Sequence, residues 1–435
     1  MYTSLNDPAV EASLQKQLDI IVRHTVDLYG NDCTIILAGG FGRGEGSIRV
    51  NRNKIAIPLH DFDTYVVTER TAGREEHEAM ERNIIKELSS LVETDLQEAN
   101  FVLGVEVVPR RSLYRLPPDL STYEMKAAST VLYGPDVRSV IPVTSHDIAL
   151  ASGAITLFHR TTALLKNVEP KFLSSLKCPL EKRLEAVYEC CKVYTEICTA
   201  LSLLGGFYRP SYRLRAEDLQ GSYSRFPELQ EKIPNLPEDV RSHTRMKLAS
   251  DFSSIIQKPM ETWIETRRTL GLVLRFFLSK FLGVSPNEDW MKLCKESRRM
   301  MRWLFFREYL SFYLARLGIR DSVLVNVANL AFQFYDYQSF RLRVRRNGRL
   351  PASRLLSFTS PLLDVYLSSA LVLFSLEDDG RVDPEMLDTG RIYLKRVFAL
   401  DMNQSGTNNP WKDSRDLCVE GQRLYFGAKQ QKKVL

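Results

Sequence analysis

Asp61 and Asp63 stand two residues apart in the run Leu59-His60-Asp61-Phe62-Asp63-Thr64-Tyr65-Val66-Val67. Strand side chains alternate faces, so residues i and i+2 point the same way. Two carboxylates then leave one face and Phe62 leaves the other. Like charges this close repel. A divalent cation relieves that repulsion, since Mg²⁺ takes carboxylate oxygens together with substrate phosphates. A strand end with two aspartates facing water has the same spacing, so the pair alone does not decide. His60 abuts it, but alternation turns His60 away from the aspartates' face, which suits a supporting or surface role better than a base.

Upstream, Thr34-Ile35-Ile36-Leu37-Ala38 reads as a buried strand that runs into Gly39-Gly40-Phe41-Gly42-Arg43-Gly44-Glu45-Gly46-Ser47. Five glycines in eight residues leave the backbone open to close approach. Exposed N–H groups in such a turn form a concavity for anions, and Arg43 offers a planar cation for phosphate. The spacing is neither the dinucleotide fingerprint nor a P-loop. A plain glycine turn is the alternative. A third acid, Glu106, lies inside the apolar run Phe101-Val102-Leu103-Gly104-Val105-Glu106-Val107-Val108. A carboxylate buried there needs a partner. A metal shared with Asp61 and Asp63 provides one, and an edge strand that turns Glu106 to solvent avoids the need.

The order of these parts resembles the nucleotidyltransferase superfamily that includes DNA polymerase beta: strand, Gly-Gly turn, Asp-x-Asp strand, acidic strand. The resemblance covers roughly residues 20–145. It implies a polymerase-beta-like catalytic domain in which Gly39 and Gly40 lie at the nucleotide phosphates. By the same resemblance Asp61 and Asp63 hold metal, and Glu106 is the third acid. Arg43-Gly44 matches an Arg-Gly common after the turn in small bacterial members, and Glu124 to Asp136 looks like the segment closing the domain. Gly40 departs from the usual serine, so Ser47 is the candidate substitute hydroxyl. The implied reaction is transfer of a nucleoside monophosphate from an NTP, with ATP the expected one, to a hydroxyl acceptor. Pyrophosphate leaves, with Mg²⁺ or Mn²⁺ as cofactor. The acceptor is a small molecule, a protein side chain or an RNA end, the small molecule being preferred over nucleic acid. The alternative is a non-catalytic nucleotide-binding module on the same fold.

The elements that position these residues follow from periodicity. Glu11–Tyr29 and Gly73–Leu96 read as amphipathic helices flanking the strands, and Ile48–Leu59 as a small hairpin around Asn51-Arg52-Asn53-Lys54. Pro109–Pro118 reads as a basic loop. From Ser145 strand signals stop. Helical patterns cover 147–167, 180–204, 250–282, 290–317, 322–337 and 360–376, with Tyr208–Asp239 as a polar connection. The expected fold class is α+β. A catalytic domain with a mixed sheet flanked by helices spans 1–144, a mainly α-helical domain spans 145–401, and a weakly patterned tail spans 402–435. In the helical part, the aromatics of Trp303–Tyr313 suit a core better than base stacking. Arg341, Arg343, Arg345, Arg346 and Arg349 read as a solvated basic loop with a phosphate-binding alternative. No arginine-to-histidine spacing of an RNase motif is present.

At 435 residues the chain is long enough for two or three domains, and 44% hydrophobic and 26% charged residues describe an ordinary globular protein. The net charge of +6 is compatible with nucleotides or nucleic acid as partners. Seven cysteines without a C-x-x-C pair read as reduced thiols. The beginning, Met1-Tyr2-Thr3-Ser4-Leu5-Asn6-Asp7, has no signal-peptide pattern. The longest apolar stretches carry Arg275, Lys280 or Asp364. A cytoplasmic chain with no membrane partner is therefore expected, its oligomeric state open.

Overall fold

The computed structural model describes residues 1–435 except 52–54, 60, 95, 97–102, 305, 320, 350, 352–358, 400–408 and 433–435. His60, the tip of the expected hairpin, Phe101, Val102 and the first part of the expected tail lie outside the described residues.

Helix α1, Pro8–Tyr29, starts where Asp7 caps it: the Asp7 carboxylate accepts the Ala9 N–H at 2.8 Å, and Pro8 fits the first turn. Its line Val10, Leu14, Leu18, Ile21 is fully buried. The helix stops at Gly30, whose φ of 83° suits glycine and whose N–H donates back to the Val26 carbonyl. Strand β1, Thr34–Leu37, leads into a single helical turn, α2, Gly39–Gly42. A hairpin follows, β2 Ile48–Val50 and β3 Ala56–Pro58, with Ile48 opposite Pro58. Next come β4 Asp63–Thr68, α3 Arg74–Val92 and β5 Gly104–Pro109. The unit closes with α4 Leu120–Ala127 and β6 Thr130–Tyr133. The expected basic loop after β5 contains a 3₁₀ turn at Arg110–Arg115.

The sheet order is β5-β4-β1-β6. Strand β4 pairs antiparallel with β1 and parallel with β5, and α3 is the crossover that a parallel pair requires. One face of this mixed sheet packs on α1 and α3 around Ile35, Leu37, Phe62 and Val66. The other packs Ile36, Val67 and Val108 against Leu113, Met125 and Ile141.

The remainder is helical: α5 Leu150–Lys166, α6 Pro170–Ser175, α7 Leu180–Gly205, α8 Tyr212–Ser222, α9 Pro227–Lys232 and α10 Leu236–Ala249. Then come α11 Pro259–Leu282, α12 Trp290–Leu304, α13 Arg307–Arg316, α14 Ser322–Arg346, α15 Pro361–Phe374, α16 Pro384–Leu394 and α17 Pro410–Lys432. Helix α15 is buried all round from Pro361 to Leu373, as a helix apolar on every side must be. Its one acid, Asp364, accepts from Arg298 Nε at 2.6 Å.

Three expectations are corrected. The segment 208–239 holds α8 and α9 rather than a connection. The basic run after Phe340 is the last turn of α14 and its cap, not a loop: Arg343 is buried and donates to the Tyr425 carbonyl at 2.7 Å. The final stretch contains α17, whose buried line is Trp411, Ser414, Cys418, Gly421 and Tyr425. Small and polar residues alternate with the aromatics in that line, so the apolar period was invisible. A Cβ at Gly421 would press into Val365, which explains the glycine by close approach of α15.

Candidate functional site

Strand β4 begins at Asp63, and Asp61 lies just before it. The expected alternation nevertheless holds. Phe62 is fully buried, its ring 4.8 Å from that of Phe41. Asp61 and Asp63 both line a cavity of about 230 Å³ on the opposite side. Packing of Phe62 into the core therefore aims the two carboxylates outward.

The glycine turn forms the facing wall. The Ala38 N–H donates to the Asp63 carbonyl at 2.8 Å, which brings the start of α2 beside the start of β4. Gly39 has φ 62°, and a Cβ there would run into Asp63 Oδ2. A Cβ on Gly42 would strike the Leu37 carbonyl, and one on Gly46 the Phe41 ring. These glycines are required by the close approach of a carboxylate, a carbonyl and a ring to the turn, not by looseness. Gly39, Gly40, Arg43 and Ser47 line the cavity. Gly44, at φ 77°, redirects the chain and is not among the lining residues.

Arg43 is buried, with 4% of its side chain exposed, and its fork is engaged from both ends. Nε donates to Glu45 Oε2 at 3.0 Å and Nη1 to Glu124 Oε2 at 2.7 Å. The guanidinium also lies 4.2 Å from the Tyr212 ring centroid. Burial opposes its charge, but Glu124, Tyr212 and Glu45 outweigh burial and hold it well above its ordinary value. Glu45 in turn accepts from Ser211 Oγ at 2.6 Å and from the Tyr212 N–H at 2.9 Å, at the start of α8. Burial alone would raise the Glu45 carboxyl; Arg43 and these donors bring it below the usual range. Glu124 also accepts from Tyr208 Oη at 2.5 Å and from Arg215 Nη1 at 3.4 Å. Arg43 thus fastens the glycine turn to the helical part, a task different from the phosphate contact its sequence position suggested.

Ser47 is likewise committed. Its hydroxyl donates to the Lys247 carbonyl at 3.0 Å, and Ser4 Oγ donates to the Leu248 carbonyl at 3.1 Å. Ser4 thus satisfies a carbonyl at the end of α10, and Ser47 adds a second donor to a carbonyl that the Ser250 N–H also reaches, at 3.2 Å. A hydroxyl has one proton, and in this structure that of Ser47 goes to the α10 carbonyl.

The helical part contributes two lysines to the cavity, Lys192 from α7 and Lys247 from α10. Lys247 Nζ sits 3.4 Å from Ser47 Oγ and 4.7 Å from the Tyr212 ring centroid. Burial, with Arg43 and Lys192 nearby, pushes Lys247 down to about 7. Burial also lowers Lys192, against the pull of Glu189 at 3.2 Å. Asp63 moves the other way: surrounding protein, then the Asp61 charge, raises its carboxyl above the usual range. Asp63 keeps accessible surface inside the cavity, where water reaches it.

Glu106 is placed differently. It is half-buried on β5 opposite Tyr65, and Asp63 stands opposite Gly104. The three acids share a sheet face, but Glu106 is two residues further along and is not among the residues lining the cavity. The further acids in the lining are Glu45 of the glycine turn and Glu124 of α4. Among the described residues no group of three or more His, Cys, Asp and Glu is arranged to hold a metal ion. The donor set that fits one is the pair Asp61 and Asp63, whose mutual repulsion raises Asp63, and Mg²⁺ needs no more than one or two carboxylates beside substrate phosphates.

Glu45, Tyr212, Lys192 and Lys247 were not expected from sequence. Glu45 sits inside the glycine turn, where a charge was a signal. The other three come from helices with no motif around them. No family model and no curated protein matches the chain.

Proposed function

We propose that the chain is a metal-dependent nucleotidyltransferase that moves a nucleoside monophosphate from an NTP to a hydroxyl acceptor. The observation that carries this reading is the apposition of Asp63 to Gly39: an acidic pair and an open-backbone turn face each other across one cavity that the half-buried Lys192 and the buried Lys247 close. A backbone turn and cations suit phosphates; paired carboxylates suit the metal that accompanies them. A glycine turn or a strand end standing alone would not bring these together.

Each group then has a task. The Gly39 and Gly40 backbone and Lys247 hold the triphosphate, and Lys192 neutralises charge beside Asp61. Asp61 and Asp63 hold Mg²⁺ or Mn²⁺, which supplies Lewis-acid stabilisation of the phosphates and lowers the pKa of the acceptor hydroxyl. The acceptor hydroxyl gives up its proton to water, and its oxygen bonds to the α-phosphorus as the bond to pyrophosphate breaks. Arg43, Glu45 and Glu124 fix the angle between the turn and the helical wall, which is positioning rather than covalent chemistry. A polymerase-beta-like N-terminal domain is part of this proposal. A small polar acceptor is favoured, because a second polar cavity of about 240 Å³ shares Lys192 with the first.

The test is incubation with labelled ATP, GTP, CTP and UTP, Mg²⁺ or Mn²⁺, and a metabolite extract. Pyrophosphate release that disappears in Asp61→Ala/Asp63→Ala supports the reading. Tight NTP binding without turnover across extracts overturns it in favour of a binding module.

A further inference from the structure

The positive charge of this chain is concentrated. Residues 299–349 carry ten arginines against Glu308, Asp321 and Asp336, a net +7 where the whole chain has +6. All three acids are already used. Glu308 accepts the Ala151 N–H at 2.9 Å, Asp321 caps α14 by accepting the Val323 N–H at 2.7 Å, and Asp336 accepts from Tyr425 Oη at 2.9 Å. Arg299 and Arg349 pair with Glu296 and Glu420 outside the stretch, at 2.8 and 2.6 Å, and Arg343 is buried; the exposed Arg316, Arg345 and Arg346 are the charges that an anionic partner meets.

The same region is also apolar on its surface. Of fifteen large apolar side chains exposed among the described residues, eight lie between Trp303 and Leu342. Leu324, Val327, Ala331, Tyr335 and Leu342 follow one another at helical spacing along α14, all exposed. The core-facing side of that helix is already filled by Val325, Tyr337, Phe340 and Val344. The same side also buries Asn329, Gln333, Asp336, Ser339 and Arg343, so the apolar line of α14 is the one it leaves exposed. Arg316, at the end of α13, and Arg345 and Arg346, one turn beyond Leu342, are exposed at the two ends of the line.

A second copy of the chain would meet this face isologously, bringing two net-positive patches together, which is unfavourable. Nucleic acid would use the arginines, and aromatic rings could stack on bases, but the aliphatic residues of the line would serve nothing. An anionic bilayer uses both features: acyl chains take the apolar line, and headgroups take the arginines. No helix of the described residues is long and apolar enough to cross a membrane, so the mode is lying on the surface.

We propose that α14 docks in the plane of an anionic membrane surface, its Leu324–Leu342 line among the acyl chains and Arg316, Arg345 and Arg346 on the headgroups. This proposal is independent of the reaction catalysed. The test is flotation of the full chain with phosphatidylcholine–phosphatidylserine vesicles and with phosphatidylcholine alone, at low and high salt. Co-flotation with the anionic vesicles alone, weakened by salt, is the expected result. Leu324→Asp/Val327→Asp should abolish it, and Arg345→Glu/Arg346→Glu should weaken it by at least about tenfold, both with unchanged circular dichroism. No flotation, or flotation that the Leu324→Asp/Val327→Asp variant retains, overturns the proposal. So does single-stranded RNA or DNA binding without vesicle binding, or a dimer that the same variant converts to monomer.

Discussion

The carboxylate of Asp63 lies against Gly39, so that any side chain at that glycine would run into Asp63 Oδ2. The turn and the acidic strand are therefore one device, and the glycine is as necessary to the aspartate's position as the strand itself.

Gly39→Ala should strike twice. The backbone sits at φ 62°, which costs a non-glycine residue on the order of 1–2 kcal/mol. The added methyl also displaces Asp63, and misplacement of that size lowers turnover by about a hundredfold. Gly206→Ala is the control: φ there is 71° with nothing in the way of a Cβ. It should lose similar stability in urea and keep its NTP turnover. Equal loss of turnover in both variants would sink the collision argument.

Asp63→Asn should raise stability at neutral and alkaline pH while removing activity. Surrounding protein and Asp61 hold the Asp63 carboxyl above its unfolded value. A raised carboxyl contributes stability that is present below the unfolded pKa and lost as pH rises through the folded one. The native protein should therefore melt at lower temperature as pH rises from 5 to 8, with a smaller fall in the variant. Added Mg²⁺ should raise the melting temperature of the native protein at pH 8 and leave the variant unmoved. Glu106→Gln should keep the Mg²⁺ response, because Glu106 stands outside the cavity lining.

Lys247 has the opposite sign. Burial holds it at about 7, so it contributes stability above the ordinary lysine range that is lost as pH falls through 7. Phosphates arriving beside it favour the ammonium form. NTP binding at pH 8 should take up a proton, read by calorimetry in two buffers of different ionisation enthalpy. Lys247→Met should abolish that uptake and raise the KM for NTP. Unchanged proton uptake in the variant would exclude Lys247 from the phosphate site.

Glu124→Ala should leave Arg43 buried without one of its two carboxylates. Removing one partner of a buried pair costs about 3–5 kcal/mol, measurable by urea denaturation. Glu124 also holds Tyr208 and Arg215 of the helical part. The variant should therefore become susceptible to limited proteolysis near 135–150, a change that a purely local loss would not produce.

Much of this was legible in the chain itself. Alternation about Phe62 set the direction of Asp61 and Asp63, since a ring that must be buried turns its neighbours outward. The apolar period of α1, α7 and α15 and the hairpin at Ile48–Pro58 were equally plain. Helix α17 was hidden because serine, cysteine and glycine occupy its buried line, and α8 and α9 because their short polar sequences carry little period. The duties of Arg43 and Ser47 could not be read locally. Each is settled by a partner more than 80 positions away: Glu124 for one, Lys247 for the other.

The sequence by itself determined the two aspartates, the glycine turn before them and the change from mixed sheet to helices, because each rests on local backbone geometry and burial period. Only the tertiary structure decided which groups complete the cavity. It set Glu124 there in place of Glu106, brought in Lys192 and Lys247, and turned Arg43 into the fastening between two halves. Those choices depend on how the helices dock against the sheet, and charge pairing between distant residues leaves no periodic trace in the chain.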